Sequence, residues 1–366
     1  MATLSETAYY ARKGINLLII ASIVIIIVRV IIITIEPWLR PQEKPLPPTV
    51  SFGKLPYPNA QSDLDIPKGP FTYSLETVDN KLPVVPNPMN VYFLPLPKVT
   101  SLSRDDMKDR AARLGFTGNP IKLQDTLWRF IDPVNSLRSL EIDEVTGHFT
   151  LRYNYALDQN LFQENTLTTA DQGAATNALR QALGGIPAEL SGKQTISYLK
   201  LVNSQLIPFP SLDIADAMVV TFNRTDIPGP AKDQKISYPV LSPNAAKGVN
   251  YALVSPASDP KKKILEMRYV FLPQAPGVPP GTYPTISAEE AFSLLQKGEA
   301  IIASLPENFT NAVSVRQAYF AYLEPYPTQT YLEPIMVFSD RKGFLAYVPL
   351  ISREWLVKSE PLKTTK

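Results

Sequence analysis

The chain has no cysteine. A disulfide framework, a cysteine nucleophile, an iron–sulfur cluster and a thiolate zinc site are all excluded. Lipoprotein processing, which modifies a cysteine, is excluded as well. The compartment stays open, because an exported chain without cysteine reads like a cytosolic one. Histidine is nearly absent: His148 is the only one in 366 residues. A His-rich metal centre is therefore ruled out, and a Ser-His-Asp triad is disfavoured. An excess of one charge is missing too. Residues 1–50 hold five Lys and Arg against three Asp and Glu, and residues 51–366 hold 31 of each. Such a body exerts no global pull on nucleic acid or anionic lipid. Neither a Gly-x-Gly-x-x-Gly nor a Walker pattern occurs, so no cofactor is expected.

Proline, by contrast, is abundant. The chain has 36, about twice the usual share of roughly 5%. Hydrophobic residues make up 45% and charged residues 19%, too apolar a balance for a disordered chain. The length allows about two or three domains.

Residues 14–35 form an apolar run broken by a single charge, Arg29. At about 1.5 Å per residue such a helix is roughly 33 Å long, enough for a bilayer core of about 30 Å. Tyr9, Tyr10 and Trp38 stand where interfacial aromatics belong, and Pro37 stops the run. The run is too long for a secretory h-region and no Ala-x-Ala site follows, so an uncleaved anchor over 14–36 is expected. Lysine and arginine are balanced across it. A 13-residue head before a large body favours a short cytoplasmic N-terminus, with the body outside the cytoplasmic membrane. Arg29 either snorkels to the nearer surface or contacts an acidic group on a partner helix.

Residues 37–97 contain 14 prolines and read as a semi-rigid stalk or a wrapping segment. Phe52, Tyr57, Phe71, Tyr73, Tyr92 and Phe93 argue for wrapping, with 71–94 packing as short edge strands. Three helix-plus-strand units then follow, over 98–160, 161–280 and 281–354, before a basic tail over 355–366. In the first, Ser103 caps a helix with Met107, Ala111 and Leu114 on one face. In the second, Thr168 or Thr169 caps an alanine-rich helix that ends at Gly184-Gly185. In the third, Ser287 and Glu290 form a capping box. The expected fold class is α+β: an N-terminal transmembrane helix followed by several units of helix plus antiparallel sheet.

The last strands are apolar on both faces, which calls for a neighbouring unit or a partner on the second face. Tyr319, Phe320, Tyr322, Phe344 and Tyr347 are the candidate partner-binding aromatics. Catalytic signals are weak. Ser51-Phe52-Gly53-Lys54 matches Ser-x-x-Lys in spacing, but Gly53 and the nearby prolines forbid the helix that this chemistry needs. His148 follows a turn whose carboxylates, Asp143 and Glu144, read as solvated. The pairs Asp105-Asp106 and Glu289-Glu290 sit at helix starts, where they suit the dipole. Lys261-Lys262-Lys263 reads as a solvated turn. No catalytic, cofactor or metal residue is expected.

Pro47-Pro48-Thr49 through Phe52-Gly53-Lys54-Leu55-Pro56 resembles the start of a group of uncharacterised single-pass proteins from candidate-phylum bacteria. So do Ser287-Ala288-Glu289-Glu290-Ala291, Ala321-Tyr322-Leu323, Tyr331-Leu332-Glu333-Pro334-Ile335 and Ala346-Tyr347-Val348-Pro349 further on. The helix around Glu290-Ala291, the Tyr-rich strand and the strand at Pro334 also resemble PepSY-like modules. They are similar as well to the extracellular part of accessory regulators of a cell-wall histidine kinase. The second resemblance implies a non-catalytic role in binding or restraint. The expected function is an extracytoplasmic, membrane-anchored accessory or scaffold subunit of an envelope complex. Its expected partner is another membrane or envelope protein, or a second copy. The alternatives are a wall-polymer hydrolase with an unseen carboxylate pair, or a self-assembling surface structural protein.

Overall fold

The computed structural model describes residues 4–39, 47–58, 66, 71–163, 165–190, 192–229, 236–245, 247–306, 309–324 and 329–357. The chain divides into two compact units, Met1–Pro47 and Pro48–Lys366. The first holds helix α1 (Leu4–Leu39). Its described side chains are exposed, Arg29 among them. Among the described residues no helix is long and apolar enough to cross a membrane. The expected span over 14–36 is corrected on that finding. With it go the single-pass character, the membrane as a partner, and the place in the cytoplasmic membrane with the body outside. The side chains of Tyr9, Tyr10 and Trp38, expected at interfaces, lie outside the described residues.

In the second unit three short strands come first: β1 (Leu55–Pro56), β2 (Thr72–Leu75) and β3 (Met89–Phe93). Helix α2 (Ser103–Arg113) and strands β4 (Ile121–Lys122), β5 (Leu127–Ile131), β6 (Arg138–Asp143) and β7 (Phe149–Tyr153) follow. After helix α3 (Asp171–Leu183) come β8 (Lys193–Val202), β9 (Gln205–Phe209) and β10 (Ala217–Asn223). Short strands β11 (Ile227–Pro228), β12 (Ser237–Tyr238) and β13 (Val240–Leu241) precede β14 (Tyr251–Val254). One helical turn, α4 (Pro260–Lys263), leads to β15 (Ile264–Tyr269) and β16 (Gly281–Tyr283). Helix α5 (Ala288–Gln296) opens the last run: β17 (Ile301–Ser304), β18 (Ala312–Val315), β19 (Gln317–Leu323), β20 (Tyr331–Ser339), β21 (Leu345–Pro349) and β22 (Leu356–Val357).

Strand outweighs helix, 34% to 22%, and the expected α+β series of units behind a membrane helix is corrected to a mostly β fold. The reason lies in how the strands pair. Elements expected in two units, 98–160 and 161–280, join one nine-stranded sheet of order β4-β5-β6-β7-β15-β14-β10-β8-β9. Helices α2 and α3 both serve this sheet: Met107, Ala111, Ala175 and Leu179 share one core with Phe130, Leu140, Met218 and Met267. Tyr153, Leu161, Phe162 and Val219 form a second cluster.

The second sheet runs β13-β19-β20-β21-β17, and β3 joins β20 to β16. Ser287 caps α5 through Glu290 N at 3.1 Å, and Ala291 and Leu295 are fully buried. Ser103 caps nothing in this way. It lies inside α2, whose cap residue is Leu102 and makes no side-chain bond. From Pro48 onward, the described strands of the proline-rich segment pair with strands late in the chain. β1 pairs in parallel with β22, β2 with β18, and β3 antiparallel with β16 and β20. Leu55, Val91, Tyr283 and Ile351 form a small core there, with Phe52 and Trp355 packed against it. Of the basic tail, residues 358–366 lie outside the described residues.

Candidate functional site

A hairpin tip borders one cleft. β20 and β21 pair up to Ser339 and Leu345, leaving Asp340-Arg341-Lys342-Gly343-Phe344 to turn the chain. Asp340 Oδ1 accepts from Lys342 N at 2.7 Å and from Phe344 N at 2.9 Å. This carboxylate is thereby committed to the turn. Gly343 has φ +122°, and a Cβ there would lie 3.4 Å from Pro306. The turn thus needs glycine both for its backbone and for a close approach. Arg341 has φ +63°, a left-handed conformation that bulky residues rarely adopt. Phe344 anchors the tip from below, fully buried, 6.2 Å from Phe309 and 6.0 Å from Tyr73.

Between this tip and β18 lies a cleft of about 640 Å³, lined by Phe309, Ala312, Ser314, Arg316, Asp340 and Lys342 among others. A second cleft of about 530 Å³ lies between the 77–83 loop and Arg316, Tyr319 and Arg341. Arg316 lines both. β18 pairs with β2 in a sheet that has two strands among the described residues, and Ala312, Val313 and Ser314 line the first cleft.

Polar groups at the rim are tied together. Ser314 Oγ donates to Glu76 Oε1 at 2.6 Å, and Ser74 Oγ does so at 3.2 Å. Arg316 approaches Glu76 at 3.6 Å. The Ser314 hydrogen bond, helped by Ser74, Arg316 and Lys342, holds the Glu76 carboxyl below its usual range. Glu76 is therefore a fixed negative charge and a poor base for the Ser314 hydroxyl. Among the described residues neither Arg341 nor Lys342 makes an ion pair within 4.0 Å. A cationic tip thus overlooks carboxylates that are already engaged. No group of three His, Cys, Asp or Glu residues that could hold a metal occurs among the described residues.

No family model matches the chain, and no curated protein does. One solved structure that resembles it is the crystal structure of an uncharacterised protein from Eubacterium rectale ATCC 33656. The match has a TM-score of 0.36 at 10% identity and covers 71% of this chain and 82% of that one. A likeness at that level carries no argument about fold or function.

The residues singled out from sequence are distributed as follows. Tyr322, Phe344 and Tyr347 are at most 1% exposed and belong to core clusters. Tyr322 packs on Tyr92 and Tyr238, and Phe320 packs edge-on against Tyr238. Tyr319 is half-buried and lines the second cleft. Phe344 backs the first through Phe309. Arg29 belongs to the other unit and is exposed.

His148 Nε2 lies 3.2 Å from Phe271 O, its ring is edge-on to Tyr269, and burial lowers its pKa. Asp143 accepts from Thr126, Val145 and Thr146, and Glu144 accepts from Trp128, so neither is a free base. Sequence reasoning missed the tip. Its signal was present: a long apolar strand, then Asp-Arg-Lys-Gly, then a second apolar strand.

Proposed function

We propose that the chain is a non-catalytic binding protein, an accessory or scaffold subunit, whose cleft beside Arg316 receives an extended acidic polypeptide segment of a partner. The observation that carries this reading is the Arg341-Lys342 tip. Lys342 lines the first cleft and Arg341 the second; neither makes an ion pair among the described residues, and Arg341 has a left-handed backbone conformation. Strained backbone concentrates where a side chain must be presented. The volume suits a bound segment. β18, whose sheet has two strands among the described residues, supplies a line of backbone along which an extended chain can lie. Phe309 and Ala312 give an apolar floor, and Arg316 and Lys342 supply the charge, with Arg341 on the second cleft that Arg316 also lines. A catalytic reading of Ser314 lacks a base, because Glu76 is held ionised and the chain's one imidazole is engaged at Phe271.

The test is fluorescence polarisation of labelled oligoglutamate and oligolysine against the full chain. Oligoglutamate is expected to bind, more weakly as salt rises. Arg316→Ala and Lys342→Ala are each expected to reduce affinity severalfold, and oligolysine is not expected to bind. Equal affinity for both peptides, or binding unchanged in both variants, would sink the proposal.

A further inference from the structure

Glu333 on β20 is 1% exposed and Gln329 beside it 8%. Gln329 Nε2 donates to Glu333 Oε1 at 3.1 Å. The other oxygen of each group, Glu333 Oε2 and Gln329 Oε1, is buried without a hydrogen-bond partner among the described residues. Interior acceptors left unpaired are strongly disfavoured, a charged one most of all. A carboxylate can only accept, so an ionised Glu333 leaves both orphans in place. A proton on Oε2 turns one of the two acceptors into a donor. That donor can bond Gln329 Oε1 and close a two-bond acid–amide ring that satisfies both groups at once.

We infer that Glu333 is a neutral acid in the folded protein, paired with Gln329 as a latch beneath the β1–β22 clasp, and that loss of its proton to solvent opens the latch.

The surroundings favour the neutral form. Burial pushes the Glu333 carboxyl up to about 8, against only the Gln329 hydrogen bond. The titratable groups that feel its charge are Tyr331 on the same strand, Tyr283 on β16 and Tyr57 just after β1. All three are tyrosines, neutral when protonated and anionic when not, so none offers a compensating positive charge. Around Tyr57 the charged groups are Glu299 and Arg353, which pair with each other at 2.6 Å. Trp355, edge-on to Tyr283 at 6.2 Å, brings an unpartnered indole N–H but no charge.

Tyr283 connects this pocket to the clasp. Its hydroxyl donates to Gly53 O and accepts from Phe52 N, both at 2.9 Å. Tyr57 N then closes the clasp on Val357 O at 2.8 Å. A charge appearing at Glu333 therefore appears under the segment that holds the start of this unit to its end.

The direction follows from linkage. The folded-state value lies above the ordinary 4.5, so the stabilisation is complete below about 4.5 and is lost as pH rises toward 8. His148 acts in the opposite sense, but only below its ordinary 6.5, which leaves pH 6.5–8 to Glu333.

The test combines infrared spectroscopy, thermal unfolding and hydrogen exchange on the full chain. The native protein should show the carbonyl stretch of a protonated carboxyl at pH 7, lose it by pH 9, and lack it as Glu333→Gln. The native Tm should fall from pH 6.5 to 8, and the Glu333→Gln variant should remove that slope. Protection of the Tyr57 amide, corrected for intrinsic rate, should drop about tenfold one unit above the pKa. No protonated carboxyl in the native protein at pH 7, a reading that needs no variant, would overturn the neutral acid. A band that persists in Glu333→Gln would overturn it as well. Unchanged Tyr57 protection between pH 7 and 9 would overturn the latch.

Discussion

Arg224 grips Glu324 with two parallel hydrogen bonds of 2.8 Å each. Arg224 follows β10 of the nine-stranded sheet, and Glu324 follows β19 of the second sheet, so the pair ties one to the other. The Arg224 side chain is fully buried. It also reaches Glu189 and Leu272 O, with its guanidinium 4.3 Å from the Phe271 ring. Such a fork suits arginine and not lysine. Removing one partner of a buried pair strands the other's charge, which costs about 3–5 kcal/mol. Arg224→Met is expected to lose stability on that scale in chemical denaturation, and Arg224→Lys to recover little of it. The double variant with Glu324→Leu should lose less than Arg224→Met alone, because it strands fewer charges.

The run Lys261-Lys262-Lys263 anchors three separate elements. Lys261 pairs with Asp132 at 3.1 Å, Lys262 with Asp158 at 2.8 Å and Lys263 with Asp171 at 2.6 Å. Asp132 is completely buried and also binds Arg138 at 3.1 Å. All three carboxyls have lowered pKa values. For Asp132 and Asp171, hydrogen bonds outweigh a burial that opposes ionisation; for Asp158, the Lys262 bond leads. Their stabilisation is present above the ordinary 3.8 and is lost as pH falls through the folded values. Asp132→Ala is expected to cost about 3 kcal/mol, since it strands Arg138. It should also flatten part of the acid limb of a Tm-against-pH curve. Lys263→Ala should cost ~1 kcal/mol at neutral pH and nothing measurable once Asp171 is protonated.

Some local signals in the sequence were readable, though the caps expected at Ser103 and at Thr168 or Thr169 do not form, and long-range ones were not. Ser287 three residues before Glu290 announced its cap, and Gly184 announced the left-handed end of α3, where φ is +73°. The doubly apolar strands announced burial: Ile335 and Met336, on opposite faces of β20, are both fully buried. Nothing local marks the parallel pairing of β1 with β22, or the continuation of one sheet across residue 160. The lysine run read as solvated because distance to Asp132, Asp158 and Asp171 is not written in a local charge pattern. The candidate aromatics were found for the right physical reason, their apolar character, which is also why Tyr322, Phe344 and Tyr347 are core. The cleft depends on a tip whose Asp-Arg-Lys-Gly pattern is local, but on β18 and β2, whose pairing is not.

Ser287→Ala removes the side-chain oxygen that accepts from Glu290 N. A lost N-cap typically costs about 1 kcal/mol. The helix it starts buries Ala291 and Leu295 against the second sheet, so the loss should appear in global unfolding. Chemical denaturation of Ser287→Ala should show it, and Ser287→Thr should restore most of it.

Arg341 is the residue at which stability and recognition should part. Its φ of +63° costs a non-glycine residue roughly 1–2 kcal/mol relative to an ordinary conformation. Glycine removes that strain but gives back part of the gain through greater freedom of the unfolded chain. Arg341→Gly is therefore expected to raise stability by about 0.5–1 kcal/mol in chemical denaturation. The same change deletes a cation on the neighbouring cleft that Arg316 also lines, so affinity for oligoglutamate should fall. A variant both more stable and weaker in binding marks a side chain held there for recognition. A variant that gains stability and binds as tightly as the native chain would remove Arg341 from the site and leave the cleft to Arg316 and Lys342.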